Sequence, residues 1–185
     1  AYSLFISDLH CGNKDFYEKE FLNMINWLKG EVGNKAQQKI AKKVKYLFIV
    51  GDMVEGVGIY PGQEDDLKFL DVKDQYKEFS RYLEMVPSRI QVIMCPGNHE
   101  AGRLAEPQFN LYEDFTEDIF NLPNVHFVSN PSWVRIHRSS NFPGFTVLLY
   151  HGYSFIYYGN NVPSIFEEGG VNNPAAIMKY LLQRR

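Results

Sequence analysis

Apolar runs at residues 2–7, 46–50 and 90–95 are separated by two segments whose apolar residues recur at helical spacing. This alternation implies parallel strands joined by crossover helices, because a parallel neighbour is reached only by carrying the chain back along the sheet. It constrains the chain to an α/β class. The first helix is expected to start at Asp15, which with Glu18 reads as a capping box ahead of Phe21, Ile25 and Leu28, and to stop at Gly30. A lysine-rich polar connection leads to the second strand. Residues 54–66, VEGVGIYPGQEDD, read as a long irregular loop, since their glycines and proline disfavour any ladder. Asp71 then caps a helix that carries Val72, Tyr76, Phe79 and Leu83 on one face.

The second half changes character. After a helix over 111–120, the segments VHFVS, WVRIHR and FTVLLYHG are separated by Asn-Pro-Ser and Asn-Phe-Pro-Gly turns, which predicts antiparallel pairing. Asn173 and Pro174 open a final helix with good capping chemistry. With 185 residues, 45% of them hydrophobic, the chain can bury one sizeable core. A single domain over 1–185, an α/β sandwich with mixed sheets, is the expectation.

Strands in this scheme end in polar residues: Asp8-Leu9-His10, Gly51-Asp52, Gly97-Asn98-His99-Glu100 and Tyr150-His151-Gly152. A lone example is ordinary turn chemistry, because Asn and Asp bond their own backbone and Gly tolerates positive φ. Their joint appearance at the carboxyl ends of strands points to a site, since that edge is where open α/β sheets bind ligands. Carboxylate, imidazole and amide oxygen form a mixed donor set suited to Mn²⁺, Fe²⁺, Zn²⁺ or Mg²⁺, with no thiolate needed. Alternation along an extended strand would put Asp8 and His10 on one side, where they could address one ion together, and Asp52 could bridge two. Ions roughly 3.5–4 Å apart would activate a water between them and neutralise a phosphoryl group during in-line displacement.

A formal net charge of −3 excludes a strongly basic nucleic-acid clamp, so a nucleic-acid substrate would have to be gripped by metal ions or a partner. Cys11 and Cys95 are too few for a disulfide framework and lack zinc-knuckle spacing, which predicts a reducing, cytoplasmic location. No apolar run is long enough to suggest a membrane span.

The motifs DLH, GD, GNHE and HG, in this order, resemble the calcineurin-like metallophosphoesterase superfamily. The stretches GDMVEGVGIYPGQEDDL, PGNHEAGRLAEPQ and LYHGYS further resemble the small subunits of archaeal family-D DNA polymerases, over essentially the whole chain. The resemblance implies a metallophosphoesterase-like αββα sandwich and a metal-dependent 3′ to 5′ DNA exonuclease that proofreads beside a large catalytic polymerase subunit and acts on the DNA 3′ end. It implies two divalent ions, manganese first, with magnesium, iron or zinc as alternatives. Carried over residue by residue, Asp8 and His10 hold the first ion, Asp52 bridges, and Asn98 and His151 hold the second. His99 does not ligate. By analogy it contacts the scissile phosphate and stabilises the leaving oxygen, with a carboxylate partner that the sequence does not identify.

Other positions carry weaker signals. Arg103, Tyr153 and the loop that holds Tyr60 and Gln63 lie near the motifs and stand as candidates for contact with a nucleotide strand, because Arg pairs phosphate and aromatics stack bases. Glu64-Asp65-Asp66 reads as a solvated acidic loop, and His126 and His137 as strand or surface residues. The superfamily pattern ends in a Gly-His-x-His-type motif that adds a ligand to each metal, whereas no histidine follows His151 here. The native chain is therefore expected to extend beyond the carboxyl end, and, because it starts abruptly on a strand, beyond the amino end as well. Two alternatives stay open: a phosphomonoesterase or nucleotide phosphodiesterase of the same superfamily, and a noncatalytic polymerase accessory subunit, since related eukaryotic subunits share the fold but have lost ligands.

Overall fold

Strands β1 (Tyr2–Ile6), β2 (Val44–Val50), β3 (Gln91–Cys95) and β4 (Val125–Phe127) lie side by side in that order in one parallel sheet. The computed structural model describes residues 1–184, and internal contacts divide the chain into two compact units, Ala1–His151 and Gly152–Arg185. Successive side chains of a strand point to opposite faces. On β2, Leu47 and Ile49 enter the larger core and Phe48 a second one; on β3, Val92 and Met94 go with the first, Ile93 and Cys95 with the second. Helices α1 (Glu18–Lys29), α3 (Val72–Glu84) and α4 (Glu113–Phe120) cover the first face through Phe21, Ile25, Tyr76, Phe79, Leu83 and Ile119. The antiparallel pair β5 (Ser132–Ile136) and β6 (Phe145–Leu149) covers the second, with Ile136 and Leu149 in one cluster with Phe48, Ile93 and Cys95. Full burial of such a side chain is worth roughly 1.5–3 kcal/mol. The central strands gain it on both faces, which is why they read as continuous apolar runs.

The α/β class, with parallel and antiparallel pairing, is as expected, but local details differ. The VHFVS segment does not pair antiparallel: α4 acts as one more crossover, and β4 joins the parallel sheet with Val92 opposite Val125. The first helix begins at Glu18, with Tyr17 at its N-cap and no side-chain cap. Asp15 instead sits in a preceding turn, where its N–H donates to Asn13 Oδ1 at 2.8 Å. The lysine-rich connection contains a helix, α2 (Lys35–Ala41), opened by a capping box: Asn34 accepts from the Ala36 and Gln37 N–H groups, and the Gln37 side chain accepts from the Asn34 N–H. Asp71 caps α3, accepting from the Lys73 N–H at 2.8 Å. The 54–66 loop is irregular apart from a 3-10 turn at Gln63–Asp65.

The second unit contains α5 (Phe155–Asn161), α6 (Pro163–Glu167) and α7 (Pro174–Gln183), with Gly159, Ile165 and Ile177 buried. Asn173 caps α7, accepting from the Ala176 N–H. Among the described residues no helix is long and apolar enough to cross a membrane.

Candidate metal centre

Backbone pairing continues past the carboxyl ends of the strands. The Asp8 N–H donates to the Gly51 carbonyl at 3.1 Å, and the His10 N–H to the Asp52 carbonyl, the Cys11 N–H to the Met53 carbonyl and the Gly51 N–H to the Cys95 carbonyl, each at 3.0 Å. The loops after β1, β2 and β3 are thus held in register. Asp8, His10 and Asp52 have φ of 54°, 51° and 50°, in the left-handed region. That conformation costs a residue with a Cβ on the order of 1–2 kcal/mol, and strain of this kind clusters at functional sites. It also corrects the extended geometry expected of Asp8 and His10, so alternation along a strand is not what orients them. Two glycines permit close approach: a Cβ on Gly51 would overlap the His151 ring, and one on Gly97 the Asp52 carboxylate.

The side chains collect in two donor groups. Asp8, Asp52 and His151 offer ligand atoms within 4.8 Å of one another, and so do His10, Glu55 and His99. Asp52 stands between the groups: its Oδ2 lies 3.4 Å from His151 Nε2 and 3.9 Å from His10 Nε2, while its Oδ1 accepts the His99 N–H at 2.9 Å. Asn98 Oδ1 lies 3.0 Å from His151 Nε2. Asp8, His10, Asp52, Asn98, His99 and His151 therefore meet at one edge of the sheet.

Arg103 is exposed with its guanidinium 5.9 Å over the Phe109 ring, and Tyr153, also exposed, belongs to the second unit. His126 Nε2 lies 2.8 Å from Gln91 Oε1, and the His137 N–H donates to the Tyr46 hydroxyl at 3.0 Å; neither histidine enters a donor group found among the described residues. Glu64, Asp65 and Asp66 are exposed, with Asp66 accepting from the Tyr60 hydroxyl at 2.8 Å.

Hydrogen bonding at His151 tests whether a cation suits this place. Nδ1 lies 2.9 Å from the Val50 carbonyl, which can only accept, so Nδ1 carries a proton. In a neutral ring, Nε2 then turns its lone pair on Asp52 Oδ2 and Asn98 Oδ1. A second proton or a metal ion relieves that repulsion. In the metal-free chain the proton does so. Burial opposes the charged ring, but the hydrogen bond to Asp52 and the charge of that carboxylate prevail and raise His151 to about 9. Burial likewise opposes ionisation of Asp52, and His151 and His99 overcome it, holding this carboxyl below its usual range. His10 Nδ1 is buried 2.9 Å from Glu55 Oε2 but outside hydrogen-bond geometry, a ring nitrogen without a hydrogen-bond partner. Imidazole nitrogens, carboxylates and an amide oxygen facing one another in this way fit a divalent cation.

Carboxylates not singled out from the sequence complete the centre. Glu55, buried, follows Asp52 by three residues in GDMVEG; its carbonyl accepts from His99 Nδ1 at 2.6 Å and its carboxylate lies against His10. Glu100, also buried, accepts the N–H groups of Met53 at 2.6 Å, Asp52 at 3.1 Å and Gly97. Burial and then the Asp52 charge push its carboxyl up to about 7, against the pull of those donors. Glu100 clamps the loop of Asp52 to the loop of Asn98. Its only sequence signal is the acid that closes Gly-Asn-His-Glu.

An O/N donor centre at the carboxyl edge of a parallel sheet, backed by helices on one face and a second sheet on the other, suits a metal-dependent hydrolase. The chain belongs to the calcineurin-like phosphoesterase family, whose model matches residues 3–179. It is a phosphoesterase-type hydrolase domain, and the family implies divalent metal binding. The chain is similar to the DNA polymerase II small subunit of Methanocaldococcus jannaschii, 44% identical over 184 residues that make up 100% of this chain and 29% of that protein. It is similar also to the DNA polymerase II small subunits of Archaeoglobus fulgidus, at 43% identity over 100% of this chain and 35% of that protein, and of Pyrococcus furiosus, at 38% over 100% and 28%. The chain thus spans about a third of the length of these relatives.

Proposed function

We propose that this domain is the 3′ to 5′ DNA exonuclease of a replicative polymerase small subunit, working with a large catalytic subunit in the cytoplasm. The observation that carries the reading is Asp52, one carboxylate oxygen facing His151 Nε2 at 3.4 Å and His10 Nε2 at 3.9 Å, which suits a bridge between two ions. Asp8 and His10 would hold one ion, Asn98 and His151 the other, a pairing that differs from the donor groups, where Asp8 lies with Asp52 and His151, and His10 with Glu55 and His99. Two divalent ions, manganese first, would supply Lewis acidity and offset the charge of the phosphodiester. His99 keeps Nδ1 on the Glu55 carbonyl, so Nε2 is the nitrogen left for a substrate, and as an imidazolium the ring would donate from it to a phosphate oxygen and to the leaving oxygen. Glu100 holds the Asp52 backbone in its strained conformation, which keeps the carboxylate aimed before substrate arrives.

The name shared by the relatives supports DNA as the substrate and a polymerase as the assembly. A net charge of −3 suits a domain that relies on metal ions and a partner to grip DNA. Arg103 and Tyr153 are proposed contacts to the strand. The test is hydrolysis of labelled single-stranded DNA with Mn²⁺, in the assembly with the large subunit. Mononucleotides should leave from the 3′ end, and Asp52→Asn should stop their release. Turnover of a phosphomonoester with no DNA hydrolysis would replace this reading with a phosphatase, and no turnover of either would leave an accessory subunit.

A further inference from the structure

Two buried amides lie behind the centre without touching its donor atoms. Gln108 and Asn130 face each other across a backbone bridge, the Gln108 N–H donating to the Asn130 carbonyl at 2.7 Å and the Asn130 N–H to the Gln108 carbonyl at 2.9 Å. Asn130 is 0% exposed and Gln108 4%, so every polar atom here needs a protein partner. Their side chains form a relay. Gln108 Nε2 donates to the Gly97 carbonyl at 2.6 Å and to the Arg103 carbonyl at 2.9 Å. Gln108 Oε1 accepts from Asn130 Nδ2 at 2.6 Å, and Asn130 Oδ1 accepts the His151 N–H at 2.9 Å. One end of the relay holds the residue before Asn98; the other holds the backbone of His151.

We propose that Gln108 and Asn130 are positioning residues that set the spacing between Asn98 and His151, and so the affinity of the ion these two would share. This rests on the metal reading above. Asn98 and His151 are 53 residues apart in the chain, on different loops, yet their side-chain atoms meet at 3.0 Å. The relay has a fixed direction. Turning the Gln108 amide over would set its oxygen against the Gly97 and Arg103 carbonyls, and turning Asn130 would set an N–H₂ group against the His151 N–H. Each amide therefore has one acceptable orientation, and the pair transmits the position of one loop to the other.

Asn130→Asp is the informative substitution at a pH where the new side chain is ionised, because a carboxylate can still accept the His151 N–H but offers no donor to Gln108 Oε1, and a flip of Gln108 only moves the mismatch to the Gly97 and Arg103 carbonyls. Gln108→Met keeps the volume and removes the bonds to Gly97 and Arg103. Asn124→Ala is the control: Asn124 is buried, its Nδ2 donates to the Ile90 carbonyl at 2.9 Å, and it lies outside both donor groups. Mn²⁺ is titrated calorimetrically into each metal-free protein, alongside thermal melts and the Mn²⁺ dependence of turnover. The expectation is that Asn130→Asp and Gln108→Met weaken one of two Mn²⁺ sites by about 10- to 100-fold, as loss of groups that orient ligands does. Half-saturating Mn²⁺ for turnover should rise by the same factor, with kcat recovering at saturation, while Asn124→Ala lowers only the melting temperature. If the relay variants lose stability but bind both ions with unchanged affinity, the pair is merely structural and the proposal is overturned. Should Asn130→Asp fail to fold, Gln108→Met decides by the same criterion. Absence of Mn²⁺ binding in the unsubstituted protein would sink the metal reading itself, a failure separate from the relay's.

Discussion

The two donor groups both combine carboxylates with imidazoles, two aspartates and one histidine in one and one glutamate and two histidines in the other, but differ in what their histidines face. In the group of Asp8, Asp52 and His151, the His151 ring commits Nδ1 to the Val50 carbonyl and presents Nε2 to Asp52 and Asn98. In the group of His10, Glu55 and His99, the His99 ring commits Nδ1 to the Glu55 carbonyl and touches Asp52 through its backbone N–H. An imidazole whose second nitrogen is ringed by anionic and amide oxygens is a ligand in waiting. For His99, the second nitrogen is the one that the proposed function leaves to a substrate. Proximity of histidines to carboxylates does not separate these roles, and neither does the partner of Nδ1, a backbone carbonyl in both rings; the proposed difference lies at Nε2.

The comparison breaks most visibly at Asp52, which stands between the groups. Asp52→Asn should lower turnover by about 10³-fold or more, since both ions lose their common anion, while circular dichroism shows the fold retained. Loss of a single Mn²⁺ site in calorimetry, in place of both, would mean that Asp52 serves one group alone. Next comes the contrast between the histidines. His99→Ala should reduce turnover by about 10²-fold with both Mn²⁺ sites kept, whereas His151→Ala should lose a site outright. Equal metal loss in the two variants would erase the distinction between ligand and proton donor.

A smaller effect is expected from metal removal. In the metal-free chain His151 is raised from its ordinary 6.5 to about 9 by Asp52. The raised value means that folded protein binds the proton more tightly than unfolded protein, so this contribution is complete below pH 6.5 and disappears as pH rises through about 9. Urea midpoints should record a loss on the order of 1 kcal/mol over that window, after discounting for solvent screening. Saturating Mn²⁺ should flatten the slope, because the ion replaces the proton. The smallest effect belongs to a helix that carries no donor. Asn34→Ala, which removes the α2 cap, should cost about 1 kcal/mol in the same midpoints and leave Mn²⁺ affinity and turnover unchanged.

Much of the scaffold was legible in single residues and short spacings, because strand runs, the Asp71 cap and the Asn173-Pro174 helix start depend on neighbours within a few positions. The α2 capping box was equally local, an Asn followed three residues later by Gln, but its lysine-rich surroundings read as a polar connection. Asp15 with Glu18 carried the same spacing without forming a cap, since Asn13 folds that stretch into a turn first. The sequence by itself determined which chemical groups stand at the strand ends. Only the tertiary structure decided what each one meets: Glu55 against His10, Glu100 under the Asp52 loop, Val50 on His151 Nδ1 from 101 residues away, and β4 parallel to β3. The physical reason is that a side chain's type is a local property, whereas the direction of its lone pairs and the site of its proton are set by partners that only folding brings within hydrogen-bonding distance.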